Sequence, residues 1–380
     1  MNRSQFLVAL AALAVLAALG AAVVLSERSA WTTADSRAGQ RAIAGLRLSD
    51  VAEIAIADPA GELHLVRGET AWSVRERAGF AAETDRIAAL LVKLAELKIV
   101  QSEPLPESQR ARLELLEPKD KMVGAGTLIE LKDGKGGSLG RLLLGKKIVR
   151  SSPVASLSRG EAEATGRYLV ADGEAGTVLA VGEPLTEVES KPEQWLVKDL
   201  LRADGAKSIS SSKNGKQRWS VTRETESADW KFAGSKERPD LQKATDLASS
   251  LGWVNIVDVV ADPAQADTGL DHAIIIKAET FDGLSYTLRI GKQAGDNYYV
   301  RVAVAGEPRR TRTPAKGEKT EDKAKNDKEF EERRKKLVEK VEREKGLERW
   351  TYLVAKNGLD PLLRDRAGLM PEKKKSTKKT

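Results

Sequence analysis

The sequence predicts an α+β chain: an N-terminal transmembrane helix, followed by two tandem repeats of antiparallel sheet plus one covering helix, with a charged helical insertion in the second. Three observations predict this. Phe6 to Leu25 (FLVALAALAVLAALGAAVVL) is a run of 20 residues without a polar or charged side chain. A set of strand, helix and hairpin signals occurs twice in the same order. A long tract of Lys, Glu and Arg interrupts the second set before its end.

The apolar run comes first in the chain. A bilayer core of about 30 Å needs roughly 20 helical residues. Arg3 and the α-amine precede the run, so the positive-inside tendency keeps the N-terminus in the cytoplasm and exports the bulk of the chain. Secretory signals have shorter apolar regions and a small-residue cleavage site. Ser26-Glu27-Arg28 is a poor one, while Gly20-Ala21-Ala22 and Arg28-Ser29-Ala30 are weaker alternatives to an uncleaved anchor. The chain therefore reads as a cytoplasmic stub (1–5), a transmembrane anchor (6–25) and a polar stalk (26–45). A single-pass protein of the bacterial inner membrane with a periplasmic bulk is the expected location.

The repeats follow. The first opens with GELHLVRGETAWSVRE and the second with GKQRWSVTRETESADWKFAG, which set Trp72 and Trp230 at matching places. Each opening leads into a helix. Ile87, Leu90, Leu91, Leu94 and Leu97 share one helical face, as do Leu241, Ala244, Leu247, Ala248 and Leu251. Asp240 after Pro239 has the character of an N-cap. Next come hairpins at Asp133-Gly134 and Asp282-Gly283, since an Asp-Gly step between alternating apolar runs is a strong hairpin signal. They close on Leu144-Gly145-Lys146 and Ile290-Gly291-Lys292, and tyrosine strands (Tyr168; Tyr298-Tyr299) follow. Trp195 in QWLVKDLL pairs with Trp350 in RWTYLVAKNGLDPLL. The second copy is shorter, with the loss in the connector between helix and hairpin, where a duplication tolerates it. The expected repeat domains are 46–200 and 201–365.

The insertion, 309–349, contains EDKAKNDKEFEERRKKLVEKVEREKGLER, rich in strong helix formers with a thin stripe of Phe330, Leu337 and Val341. It has too few heptads for a coiled coil and reads as one exposed, partly docked helix. A basic, disordered tail (366–380) ends the chain. Lys373, Lys374, Lys375, Lys378 and Lys379 lie there, and the net charge of +7 is largely a property of the last residues. They are candidate contacts to an anionic surface. Without interleaved aromatics they do not suggest nucleic-acid binding.

These repeats resemble the membrane-anchored tandem-repeat domain of unknown function 4340 found beside gliding-motility-type ABC transporters. The resemblance covers about 46–310 and 347–365 and rests on the anchor, the strand–Trp–helix opening, LLLGKK and LRIGKQ, and WLVKDLL. It carries no reaction, cofactor or site residue. It implies a transporter neighbourhood, and the charged insertion departs from the family pattern.

Chemistry has few footholds. The chain has no cysteine and only His64 and His272. Disulfides, thiolate metal sites and cysteine nucleophiles are excluded. Gly140 to Lys146 matches the glycine–lysine frame of a phosphate loop, but Lys147 stands where Ser or Thr would bind magnesium, and the segment reads as a strand. Ser210 and Lys213 sit in a turn-rich stretch, unsuited to the buried lysine of a Ser-Lys pair. Asp258, Asp262, Asp267 and Asp271 do not have calcium-loop spacing. No catalytic, cofactor or metal residue is assigned. Trp72, Trp195, Trp230 and Trp350 are either core anchors or binding aromatics. The expected function is a non-enzymatic membrane-anchored periplasmic subunit or scaffold of an ABC-transporter-associated envelope complex, binding protein partners. A cell-wall or polysaccharide-binding envelope protein is the alternative, and an envelope hydrolase a weaker one.

Overall fold

The computed structural model describes residues 37–118, 123–149, 164–174, 176–312, 314 and 319–372. The apolar run 6–25, the stub before it, the first part of the stalk and the tail lysines lie outside the described residues.

Two large antiparallel sheets dominate. The strands of the first are β1 (Glu53–Asp58), β2 (Gly61–Arg67), β3 (Trp72–Val74), β4 (Phe80–Ala81), β5 (Ile99–Pro104), β6 (Thr127–Lys132), β7 (Ser138–Val149), β8 (Ala164–Ala171) and β9 (Thr177–Val181). Their order across the sheet is β4-β3-β2-β1-β6-β7-β8-β9-β5. The second sheet comprises β10 (Asp199–Leu201), β11 (Ala206–Lys213), β12 (Lys216–Thr222), β13 (Lys231–Phe232), β14 (Val254–Val259), β15 (Ile274–Thr280), β16 (Leu284–Ala294), β17 (Asn297–Gly306) and β18 (Tyr352–Ala355). Its order is β10-β14-β18-β17-β16-β15-β11-β12-β13. Five α-helices accompany them among the described residues: α1 (Thr84–Glu96), α2 (Glu107–Arg110), α3 (Leu241–Gly252), α4 (Thr320–Lys345) and α5 (Lys356–Leu363).

The expected α+β architecture, an N-terminal transmembrane helix before two small sheet-plus-helix repeats, is therefore corrected. Each sheet has nine strands, and no helix among the described residues is long and apolar enough to cross a membrane. The strands that enlarge the sheets are short and weakly patterned. β5 alternates poorly and buries only Ile99 fully, while β9 and β18 have five and four residues. Backbone pairing extends the sheet through such segments where side-chain alternation gives little signal.

Without β4 and β10, the two strand orders are the same from end to end, with α1 and α3 at equivalent points of the chain. The most specific correspondence is at the ends of the long hairpins. The Lys146 amide donates to the Leu113 carbonyl at 2.8 Å, and the Lys292 amide donates to the Thr268 carbonyl at 2.8 Å. A Cβ on Gly145 would sit 2.4 Å from the Leu113 oxygen, and one on Gly291 would sit 2.2 Å from the Thr268 oxygen. Only glycine lets a connector cross the strand so closely. Immediately beyond each glycine the ladder slips, between Leu144 and Lys147 and between Ile290 and Gln293, the signature of a β-bulge.

By compactness the chain divides into two units. The first contains residues up to Thr70 and Thr84–Lys191; the second contains Ala71–Glu83 and the residues from Pro192 onward. In the first, Ile54, Ile56, Leu63, Leu65, Ile129 and Leu131 are buried in the sheet, and α1 buries Ile87, Leu90, Leu91 and Leu94. In the second, Ile209, Ile276, Tyr286, Leu288 and Tyr352 are buried, as are Ala244, Leu247 and Leu251 of α3, which packs beside α5. Burial of each large aliphatic side chain stabilises the fold by roughly 1.5–3 kcal/mol.

Candidate functional site

The clearest candidate for a binding surface is α4 and the cleft beside it in the second unit. Its sequence is mostly charged, and the straight side chains of its Lys, Glu and Arg residues lose little freedom in a helix. Ion pairs lie along it, Arg334–Glu331 at 3.1 Å and Lys345–Glu342 at 3.2 Å. Such exposed pairs are each worth a few tenths of a kcal/mol, about 0.2–0.5. Specific contacts of its inner face fix the helix in place. Val341 and Glu344 are buried. The Tyr286 hydroxyl donates to Glu344 Oε2 at 3.2 Å, Lys340 Nζ donates to the Arg202 carbonyl at 2.5 Å, and Arg333 Nη2 pairs with Asp282 at 3.1 Å. Burial pushes the Glu344 carboxyl above the usual carboxylate range, and burial with the nearby Glu344 charge pushes the Tyr286 hydroxyl up.

Between the helix and the end of β17 is a cleft of about 500 Å³, lined by Glu307, Pro308 and Arg310 on one wall and by Arg334, Val338 and Glu342 on the other. Charges of both signs line it beside Pro308, the buried Val341 and the exposed Val338. A mixed lining of this kind, charged groups beside a few apolar side chains, is suited to contact with another protein surface.

The tryptophans singled out from sequence are held in several ways. Trp195 is fully buried, and Trp72 and Trp230 are buried nearly as deeply. The Trp230 ring carries the Arg223 guanidinium at 4.7 Å. Trp350 is half-buried, with the Phe80 ring edge-on at 5.4 Å and the Arg349 guanidinium at 4.5 Å. The structure does not bring these four rings to one surface cluster. Trp253, which falls outside the matched landmarks, is 64% exposed under the Arg202 guanidinium at 4.2 Å. It is the C-cap residue of α3, just beyond that helix's buried face. Lys373, Lys374, Lys375, Lys378 and Lys379 lie outside the described residues.

The residues weighed for chemistry are dispersed. His64 lies half-exposed on β2, and His272 is exposed on a 3-10 turn. Ser210 and Lys213 lie on β11, and Asn214-Gly215 makes the tight turn into β12. Asp258 accepts two hydrogen bonds from Arg77, Nε at 2.6 Å and Nη2 at 2.8 Å. Asp262 caps the Ala264 amide at 3.1 Å, and Asp267 pairs with Lys292. Among the described residues no group of three or more His, Asp or Glu side chains could hold a metal ion.

A family model described as a domain of unknown function (DUF4340) matches residues 72–273, just over half of the chain. No curated protein and no solved structure matches the chain.

Proposed function

The chain belongs to the DUF4340 family, and from that premise we propose that it is a non-enzymatic subunit or scaffold of an envelope complex associated with an ABC-type transporter, held at the extracytoplasmic face of the membrane and binding protein partners. The observation that carries the reading is α4. It is inserted between β17 and β18, whereas the equivalent strands β8 and β9 are joined by a short turn around Asp172-Gly173. The fold thus closes in one copy without such a helix. A segment that the architecture does not need, fixed by buried contacts and flanked by a groove, is suited to recognition. The apolar run near the N-terminus supports attachment to the membrane, which raises the effective concentration of this surface near other membrane proteins.

The test is crosslinking in intact cells. The wild-type chain is expected to capture transporter-associated membrane proteins. Val338→Glu changes an exposed side chain of the groove and is expected to reduce that capture with circular dichroism unchanged. Failure to capture any protein, together with turnover of an envelope substrate by the purified chain, would overturn the proposal in favour of a hydrolase. The exposed Trp253 ring favours a second reading, in which the protein holds a cell-wall polymer by stacking on sugars. Quenching of its fluorescence by glycan fragments, lost in Trp253→Ala, is the outcome that reading requires.

A further inference from the structure

Among the described residues of the first unit, one buried charge has no counter-charge within ion-pair distance. Arg167 on β8 is only 7% exposed. Its Nε donates to the Gly145 carbonyl at 2.8 Å and its Nη1 to the Leu185 carbonyl at 3.1 Å. Both partners are neutral, and among the described residues no carboxylate lies within ion-pair distance. Of the acidic side chains that act on it from a distance, Glu114 comes first, while Glu187 pairs with Lys93 at 2.6 Å and Glu189 with Lys191 at 2.8 Å. Burial lowers the guanidinium pKa, and Glu114, Glu187 and Glu189 offset this only from a distance. An arginine remains charged regardless. Burying such a charge without a counter-charge costs several kcal/mol on general grounds.

A second cation adds to the imbalance. Lys147 on β7 is the cross-strand partner of Arg167, and like charges placed opposite each other repel. Both side chains line one cleft of about 370 Å³, together with Thr127, Thr186, Glu189, Lys191 and Asp58, whose carboxylate accepts from the Ser190 amide and hydroxyl. Two N–H donors of Arg167 already hold backbone carbonyls, so the ring-like fork is fixed in orientation. Its remaining donors and the Lys147 ammonium have no partner among the described residues.

The internal duplication supplies a control. The equivalent cross-strand pair, beyond the same glycine and the same bulge, is Gln293 opposite Tyr298. The fold therefore does not need cations at these positions.

We propose that the cleft headed by Arg167 and Lys147 binds an oxyanion, a carboxylate or phosphate group of a ligand, one per chain. A rigid guanidinium fork matches two oxygens of either group, and a mobile ammonium adds charge. The site lies in the first unit and does not depend on the partner surface at α4.

Calorimetric titration of the detergent-solubilised full chain tests this, with inorganic phosphate in one arm and succinate in the other, at neutral pH and constant ionic strength. Saturable binding of at least one probe at one site per chain is expected. Arg167→Lys, which retains charge but loses the fork, should weaken it on the order of tenfold, the scale of a lost charge-assisted hydrogen bond. Lys147→Gln copies the residue found in the second repeat and should weaken it severalfold. Phosphate saturating alone identifies a phosphate-bearing ligand; succinate saturating alone identifies an acidic chain or a carboxylated polymer. Binding of neither probe, or affinity unchanged in both variants, overturns the proposal. Should Arg167→Lys fail to fold, the exposed Lys147 decides.

Discussion

Glu344 contributes to stability in an unusual direction for a carboxylate. It is buried beneath α4, with the Tyr286 hydroxyl at 3.2 Å and Lys340 Nζ at 3.9 Å. Burial raises its pKa above the ordinary value of 4.5. The folded chain then keeps a proton that the unfolded chain has released. Stability contributed by this group is fully present below pH 4.5 and is lost as pH rises through the raised folded value. Glu344→Gln stays neutral and still accepts from Tyr286. Urea unfolding should show the variant matching wild type below pH 4.5 and exceeding it at neutral pH. An equal or lower stability of the variant at neutral pH would show that the Lys340 contact outweighs burial. At this scale the sequence was partly legible. The recurring tryptophans stood out, and Trp195 is a fully buried core residue. Arg167 and Glu344 did not stand out, because burial of a charge depends on what the rest of the chain places around it.

At the scale of single elements, local chemistry was legible wherever it was self-contained. Asp240 accepts from the Lys243 amide at 3.1 Å, the N-cap that its place after Pro239 suggested. Asp240→Ala should cost about 1 kcal/mol in chemical denaturation. The Asp133 turn is closed by its side chain, which accepts from the Lys135 and Gly137 amides, both at 2.8 Å. The reason for glycine at the hairpin ends was not legible. It lies in a crossing connector more than twenty residues away in each copy, Leu113 for Gly145 and Thr268 for Gly291. Gly145→Ala would force a methyl group onto a backbone oxygen, and overpacking of this kind costs about 1–3 kcal/mol. A lowered urea midpoint checks this, and Gly291→Ala should respond alike. An unchanged midpoint in either variant would mean that the connector simply moves aside.

For the whole molecule, the duplication was readable in the order of helix, hairpin and closing glycine, and the shared strand order is its three-dimensional form, but Trp195 and Trp350 are not equivalent: Trp195 follows β9, whereas Trp350 precedes its counterpart β18. The size of the sheets was not readable, because pairing of short edge segments is decided between distant backbones. Nor was the composition of the second unit. Ala71–Glu83 precedes α1 yet belongs with the residues after Pro192. Its Phe80 ring meets Tyr352 at 5.9 Å as well as Trp350, Ala82 bridges to Leu196, and Arg77 holds Asp258. A fragment starting at Pro192 should therefore be less stable than the same unit supplied with a peptide of residues 71–83. Tryptophan-monitored denaturation with and without that peptide measures the difference, and no response to the peptide would show the segment to be dispensable.

The same segment has a consequence for birth on the ribosome. Phe80 and Arg77 are synthesised early, whereas Asp258 arrives 181 residues after Arg77 and Trp350 and Tyr352 later still. At about 5–20 residues per second, the delay until β18 emerges is on the order of tens of seconds. During that interval the Phe80 ring lacks the Trp350 and Tyr352 rings that it meets in the finished fold. The short hairpin of β3 and β4 therefore waits longest for its partners while its neighbours in sequence are already free to fold.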